Sequence, residues 1–241
     1  PPEETSFAYH VLPKSHPNAI DVLIAAYPTQ LVTAYRDTAE QAGFTPISLE
    51  IESQAIARAV IPSSQEQEAI LVVDIGRTRT SFLYAENGYT KLTSTIPIGG
   101  RTMHEAIMKQ MHVSEEEAEQ LKKDRGLSRT GDGTHIYNAL LPLVTSIQNE
   151  IPRHTEFWRE EKREEKSMQK IPELNRVYLC GREANLLGLA SFLSSQLGVP
   201  VSLANVWFNA LQNQRFVPEI EFRDSLGFAT SIGLALGAEE S

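Results

Sequence analysis

The chain has 241 residues, 41% of them hydrophobic and 22% charged, which is enough apolar material for a full core in one large domain or two small ones. Against 22 basic residues stand 31 acidic ones, a formal net charge of −9, and the basic residues do not cluster, which argues against a nucleic-acid or anionic-membrane surface. No apolar run approaches a membrane span, no charged-then-apolar leader opens the chain, and the lone Cys180 allows neither an intrachain disulfide nor a thiolate pair for zinc, so a reducing compartment such as cytoplasm is expected.

The opening Pro1-Pro2-Glu3-Glu4 reads as a linker or the middle of a longer protein. Residues 6–12 alternate weakly and residues 21–26, DVLIAA, form a buried strand, so a hairpin is expected across His16-Pro17-Asn18. Thr29 is placed to cap a helix whose Val32, Tyr35, Ala39 and Ala42 share a face and which Gly43 ends. A strand over residues 46–50, a short helix over 53–60 and a break at Pro62-Ser63-Ser64 follow. The centre of the chain is residues 69–82, AILVVDIGRTRTSF. Ile70-Leu71-Val72-Val73 does not alternate with polar residues and predicts a strand buried on both faces. It ends in Asp74-Ile75-Gly76. A carboxylate at a strand tip, a glycine that permits reversal and hydroxyls at Thr78, Thr80 and Ser81 suit a phosphate or a hydrated magnesium ion; an ordinary hairpin turn fits the same spacing.

Residues 81–85 and 89–96 flank Glu86-Asn87-Gly88 and predict an antiparallel meander. Two capping boxes follow, Thr102 with Glu105 and Ser114 with Glu117. The second helix is acidic at its start (Glu115, Glu116, Glu117), basic near its end (Lys122, Lys123, Arg125) and closed by Gly126, as the helix dipole favours. After a polar loop over 128–133, Ile136, Leu140, Val144, Ile147 and Ile151 predict a long helix toward Trp158, bent near Pro142 or Pro152. Residues 159–166 pair like charges at i,i+4, such as Glu160 with Glu164, and read as a solvated, fraying end. Residues 177–180 are a short buried strand, Gly181-Arg182-Glu183-Ala184 a turn, and Leu186, Leu189, Leu193 and Leu197 a helical stripe closed by Gly198, with a last strand over 200–203. Residues 225–237, SLGFATSIGLALG, read as a helix. Each of its interior glycines costs up to about 1 kcal/mol relative to alanine, so another backbone or a ligand is expected to pass close by. Alternating strands and helices define an α/β class with right-handed crossovers. His104, His112, His135 and His154 lack metal-ligand spacing, and no serine or cysteine sits in a nucleophile motif.

Two strand-to-turn junctions thus end in small residues, at Asp74-Ile75-Gly76 and Cys180-Gly181, with a helix carrying Glu119 and Lys122 between them. With DVLIAAYPTQLVTAYRDTAEQAGFTPISLEIESQAIARAV, ILVVDIGRTRTSFL, IPIGGRTMHEAI, SEEEAEQLKKDRGL, IYNALLPLV, LGLASFLSSQLGVPVSLANVW and GFATSIGLALG in this order, the chain resembles the PilM family, cytoplasmic actin-like proteins of type IV pilus assembly that are similar to the cell-division protein FtsA. The resemblance implies an α/β actin-like ATPase (ribonuclease H-like) fold whose second half is largely complete and whose first half is partly present. Residues 1–66 would belong to a subdomain 1C-like region with its connecting helix, and residues 67–241 to the second actin-like half, subdomains 2A and 2B. The family's opening D-I-G-type strand of subdomain 1A has no counterpart before Asp21.

Carried over residue by residue, the resemblance assigns Asp74 and Gly76 to the second phosphate loop, with Thr80 at its hydroxyl position and Asp74 holding magnesium through water. It sets Glu119 and Lys122 toward ribose and base, and Gly181 at the start of the adenosine loop. Glu52 falls at a water-orienting acid of related ATPases; an exposed acid starting a helix accounts for it equally, as a solvated helix face does for Glu119 and Lys122. Two departures stand out. Arg182-Glu183-Ala184 replaces the family's glycines beside the base, and Arg77 and Arg79 replace small residues in the phosphate loop, where they either grip phosphate or pair with acidic surface. The resemblance therefore implies a scaffold that docks the N-terminal tail of a PilN-like membrane partner and is peripheral to the inner membrane through that partner. It leaves room for self-association, and for ATP and magnesium in the full-length protein, with weak or absent binding in this chain. The rival expectation is an active actin-like ATPase that polymerises or switches on hydrolysis. An FtsA-like membrane tether would need a C-terminal amphipathic helix, which residues 237–241 do not show.

Overall fold

In the computed structural model, residues 4–11, 20, 22–62, 68–86, 89–131, 133–164, 173–211 and 217–239 are described, and they divide into two units between Glu52 and Ser53. The first unit pairs β1 (Thr5–Val11) antiparallel with β2 (Val22–Pro28), setting Phe7 opposite Ala26, Tyr9 opposite Ile24 and Val11 opposite Val22. Strand alternation puts Phe7, Tyr9, Val11, Val22 and Ile24 on one face, and all five are exposed. Because β2 runs straight into α1 (Thr29–Gln41), the cap position falls on Pro28, and the Thr29 hydroxyl accepts a bond from Ser6 at 3.1 Å instead of capping the helix. Gly43 follows the helix end at φ +84°, the left-handed conformation its position demands. The strand expected at residues 46–50 is irregular chain with Ile47 and Leu49 exposed: no strand lies alongside it among the described residues, and β-propensity without a partner does not make a strand. The turn at His16-Pro17-Asn18 lies outside the described residues.

The second unit takes in α2 (Glu52–Val60) from Ser53 onward, and Ala55, Ile56, Ala57, Ala59 and Val60 of that helix are all buried. Its sheet is built from β3 (Ala69–Ile75), β4 (Thr80–Glu86), β5 (Tyr89–Ile96), β6 (Leu174–Cys180) and β7 (Val201–Leu203), in the spatial order β5-β4-β3-β6-β7. β3 is antiparallel to β4 and β4 to β5, while β3 and β6, and β6 and β7, run parallel. Every residue of the central β3 except Asp74 is buried, as its unbroken apolar run predicts. The crossover from β5 to β6 consists of α3 (Gly100–Met111), α4 (Glu115–Arg125) and α5 (Gly133–Glu164). Phe82 and Tyr84, on one face of β4, pack against His154 and Trp158 of α5 with ring centroids 5.3 Å apart in each pair, the first pair stacked and the second tilted. Pro142 and Pro152 both lie within α5. Residues 63–67, 87–88 and 165–172, which hold parts of the expected break, hairpin turn and charged tail, are outside the described set.

Ser114 and Glu117 form the expected reciprocal cap, with the Ser114 N–H donating to Glu117 Oε2 at 2.9 Å. α3, however, begins ahead of Thr102: Gly99 is its cap residue, and the Thr102 hydroxyl accepts the Gly99 N–H at 3.0 Å from inside the first turn. After α6 (Leu189–Leu197) and β7, the chain closes with α7 (Phe222–Ser225), a 3₁₀ turn (Leu226–Phe228) and α8 (Ala229–Glu239). The interior glycines of this last segment differ sharply. A Cβ on Gly233 would fall onto the backbone of Ala55 in α2, one on Gly237 would meet the Arg58 guanidinium, and one on Gly227 would find nothing nearer than Arg182 Cβ at 3.7 Å.

Candidate functional site

Asp74 is the last residue but one of β3, in register with Cys180 of parallel β6 and with Ser81 of β4. Its half-buried carboxylate lies at the carboxyl ends of two parallel strands, where open α/β sheets place their ligands. The chain leaves β3 through Gly76-Arg77-Thr78-Arg79, a turn closed by the Gly76 N–H on Arg79 O at 2.9 Å. It leaves β6 through Gly181 at φ +83°, where a Cβ would collide with Asp74 Oδ1 and with Ile75 O at 2.5 Å. Both the positive φ and the missing side chain are therefore required at Gly181. Asp74, Gly76 and Gly181 are thus brought together. Thr80, next to them, is fully buried and donates its hydroxyl to Ile98 O at 2.7 Å, bracing the segment that enters α3.

The start of α3 docks on the β3–β4 turn. The Gly100 and Arg101 N–H groups donate to Gly76 O and Arg77 O at 3.0 and 2.7 Å, so two of the donors that a helix N-terminus leaves open are satisfied within the chain. A Cβ on Gly99 would sit 2.6 Å from Gly76 O, which is why the approach needs glycine there. Arg77 reaches Glu115 only at 4.0 Å, with both side chains largely exposed, a weak surface pair.

Lys122 behaves unlike a solvated helix face. It is 8% exposed, and its ammonium donates to Glu183 Oε2 at 2.5 Å and to His104 Nε2 at 2.7 Å. The His104 ring, accepting at Nε2, carries its proton on Nδ1, the nitrogen 4.0 Å from Glu115. Burial, and then the Lys122 charge, hold His104 below the ordinary histidine range, against the opposing pull of Glu183, Glu119 and Glu115. Glu119 is one turn back on α4 and exposed; it contributes to this field without entering the cluster. Glu52 is the exposed first residue of α2 and falls in the first unit. His104 was not legible as a site residue, and Glu183, singled out only as a departure in the adenosine loop, was not legible as the partner of Lys122, because the pair spans 61 residues and no local pattern announces it.

A nucleotide with magnesium fits one side of this arrangement. Asp74 offers a strand-tip carboxylate of the kind that holds hydrated magnesium alongside phosphate oxygens. Where the resemblance sets Lys122 toward ribose and base, the residues do not fit, since the Lys122 ammonium is already bonded twice within the chain. Among the described residues no group of three or more His, Cys, Asp or Glu could hold a metal ion unaided, and no helix is long and apolar enough to cross a membrane.

The sequence matches the family described as type IV pilus assembly protein PilM over residues 1–239. It is 29% identical over 87 residues to the cell division protein FtsA of Bacillus subtilis (strain 168), a match that covers 36% of this chain and 20% of that protein. Among solved structures, the PilM-PilN type IV pilus biogenesis complex aligns with 100% of this chain and 68% of its own at 25% identity and a TM-score of 0.73. MreB 5 of Spiroplasma citri bound to AMPPNP aligns with 89% of this chain and 66% of its own at 14% identity and a TM-score of 0.66, a likeness of fold. The fold is therefore actin-like.

Proposed function

The chain belongs to the PilM family of type IV pilus assembly proteins, and from that premise we propose that it is a cytoplasmic scaffold of the inner-membrane pilus assembly complex. It docks the N-terminal tail of a PilN-like membrane partner and is peripheral to the membrane through that partner. The observation that carries this reading is the hairpin of the first unit, where Phe7, Tyr9, Val11, Val22 and Ile24 form an exposed apolar face on two strands that pair only with each other among the described residues. An extended peptide gains main-chain hydrogen bonds from such an edge and side-chain contacts from such a face. Support also comes from the alignment of the whole chain with a chain of the PilM-PilN type IV pilus biogenesis complex. ATP turnover is the weaker reading, because Lys122, which the resemblance sets toward ribose and base, is already paired with Glu183. ATP and magnesium are accordingly expected to bind weakly or not at all here.

The test is a titration of the tail peptide into wild type, Asp74→Ala and Tyr9→Asp, each with and without ATP and magnesium. Asp74→Ala should leave tail affinity within about tenfold, a coupling of at most about 1.4 kcal/mol. Tyr9→Asp, which sets a charge opposite Ile24, should weaken it at least about tenfold, or about 1.4 kcal/mol. Tail binding that vanishes in Asp74→Ala or without nucleotide would replace the scaffold with a nucleotide-driven switch. A mass that rises with protein concentration and falls on adding tail would identify self-association as the competing use of the same face.

A further inference from the structure

Three elements meet on the side chain of Glu183. Its Oε2 receives the Lys122 ammonium of α4, and its Oε1 and Cδ occupy the space that a Cβ on Gly100 would take, at the first residue of α3. Its own backbone is the second residue of the 3₁₀ turn that follows Gly181. The two charged side chains are 10% and 12% exposed, and His104 Nε2 accepts from Lys122 on the other side. Ion partners this far from water do not separate freely, because each would be left as an uncompensated charge; an external anion reaches Lys122 only by displacing Glu183. The positive end of α3 adds to what holds the carboxylate in place.

We infer that Glu183 is a built-in occupant of the ribose side of the Asp74–Gly181 junction, and the residue by which this chain discriminates against nucleotides. The inference rests on the reading, implied by the family resemblance, that this junction is the nucleotide face of the fold. Arg182 does not share the role: it is exposed, whereas Glu183 is half-buried against Lys122.

The experiment measures ADP with magnesium by calorimetry on wild type, Glu183→Ala, Glu183→Gln and Glu183→Ala combined with Lys122→Met, together with the acylation rate of Lys122 in each protein that retains the lysine, read by mass spectrometry. Glu183→Ala should bind ADP at least tenfold more tightly than wild type, and the added Lys122→Met should cancel the gain. Lys122 acylation should rise at least tenfold in Glu183→Ala. Glu183→Gln keeps the shape and an acceptor for Lys122, so it stays folded where alanine does not; it should show a smaller gain, of at least threefold. Equal ADP affinity in wild type and the folded Glu183 variants, including no binding in any of them, overturns the inference, as does a Lys122 that acylates as fast in wild type as in Glu183→Ala. Tail-peptide binding measured on the same wild-type protein separates the two readings. Its loss removes the scaffold and leaves the role of Glu183 standing, whereas equal ADP affinities remove the role of Glu183 and leave docking standing.

Discussion

Gly233→Ala is the most informative single change in the core. The added methyl would fall on the carbonyl oxygen, carbonyl carbon and Cα of Ala55, all backbone atoms that cannot rotate aside, so α8 must lift off α2 to admit it. Overpacking of this kind costs about 1–3 kcal/mol. The same displacement strains the bond that the Arg58 guanidinium donates to Gly233 O at 2.7 Å. Hydrogen bonds to charged groups contribute about 1.5–3 kcal/mol. Against these losses, alanine recovers about 1 kcal/mol of helix propensity. The balance, with the bond lost outright, is a destabilisation of about 1.5–5 kcal/mol, to which packing and the hydrogen bond contribute comparably. Gly227→Ala is the internal control, because its new methyl meets nothing nearer than Arg182 Cβ, at 3.7 Å. It should be neutral or stabilise by up to about 1 kcal/mol through the unfolded chain. Urea unfolding of both variants, read as midpoint shifts at constant slope, measures the contrast. If Gly233→Ala lies within about 0.5 kcal/mol of wild type, the range of an inconsequential surface change, the close approach of the two backbones is not what requires glycine there.

Lys122→Met keeps the apolar stem of the side chain and strands the Glu183 carboxylate. Breaking a buried pair costs about 3–5 kcal/mol, and the α3 dipole offsets about 0.3–1 of it, so a loss of about 2–5 is expected in the same denaturation assay. Adding Glu183→Leu should recover part of it, and a single-variant cost below about 0.5 kcal/mol would mean that the pair acts as a surface bridge. Burial depresses both His104 and His154, the latter stacked on Phe82 and bonded to Ser94, so in each case the unfolded chain takes up its proton first as pH falls. Their contribution is complete above about pH 6.5 and is lost as pH falls through that value toward the folded pKa values, at up to about 1.4 kcal/mol per pH unit for each histidine. Melting temperatures followed downward from neutral pH should show this slope, and His154→Asn should flatten it; an unchanged slope in that variant would remove His154 from the account.

The sequence by itself determined the features that depend on neighbours within a few residues. The unbroken run of β3, the Ser114–Glu117 cap, the leucine stripe of α6 closed by Gly198, and the strand-tip Asp74 before Gly76 were all legible, because strand burial, capping and helix ends follow short-range rules. Those same motifs in order carried the family resemblance. Tertiary structure decided the rest. Residues 46–50 have strand-like composition but no strand beside them, and α3 starts at Gly100 because the β3–β4 turn supplies carbonyls for its first N–H groups. Glycines 227, 233 and 237 look alike in sequence. Only the packing of α2, whose Arg58 lies 175 residues from Gly233, makes one of them indispensable. Lys122 likewise looks solvated from its own helix and is buried because Glu183, brought across by the parallel pairing of β3 and β6, supplies its counter-charge. Local propensity acts over one or two turns of chain, whereas the burial of a charge or the contact of two backbones depends on segments that meet only when the sheet has formed.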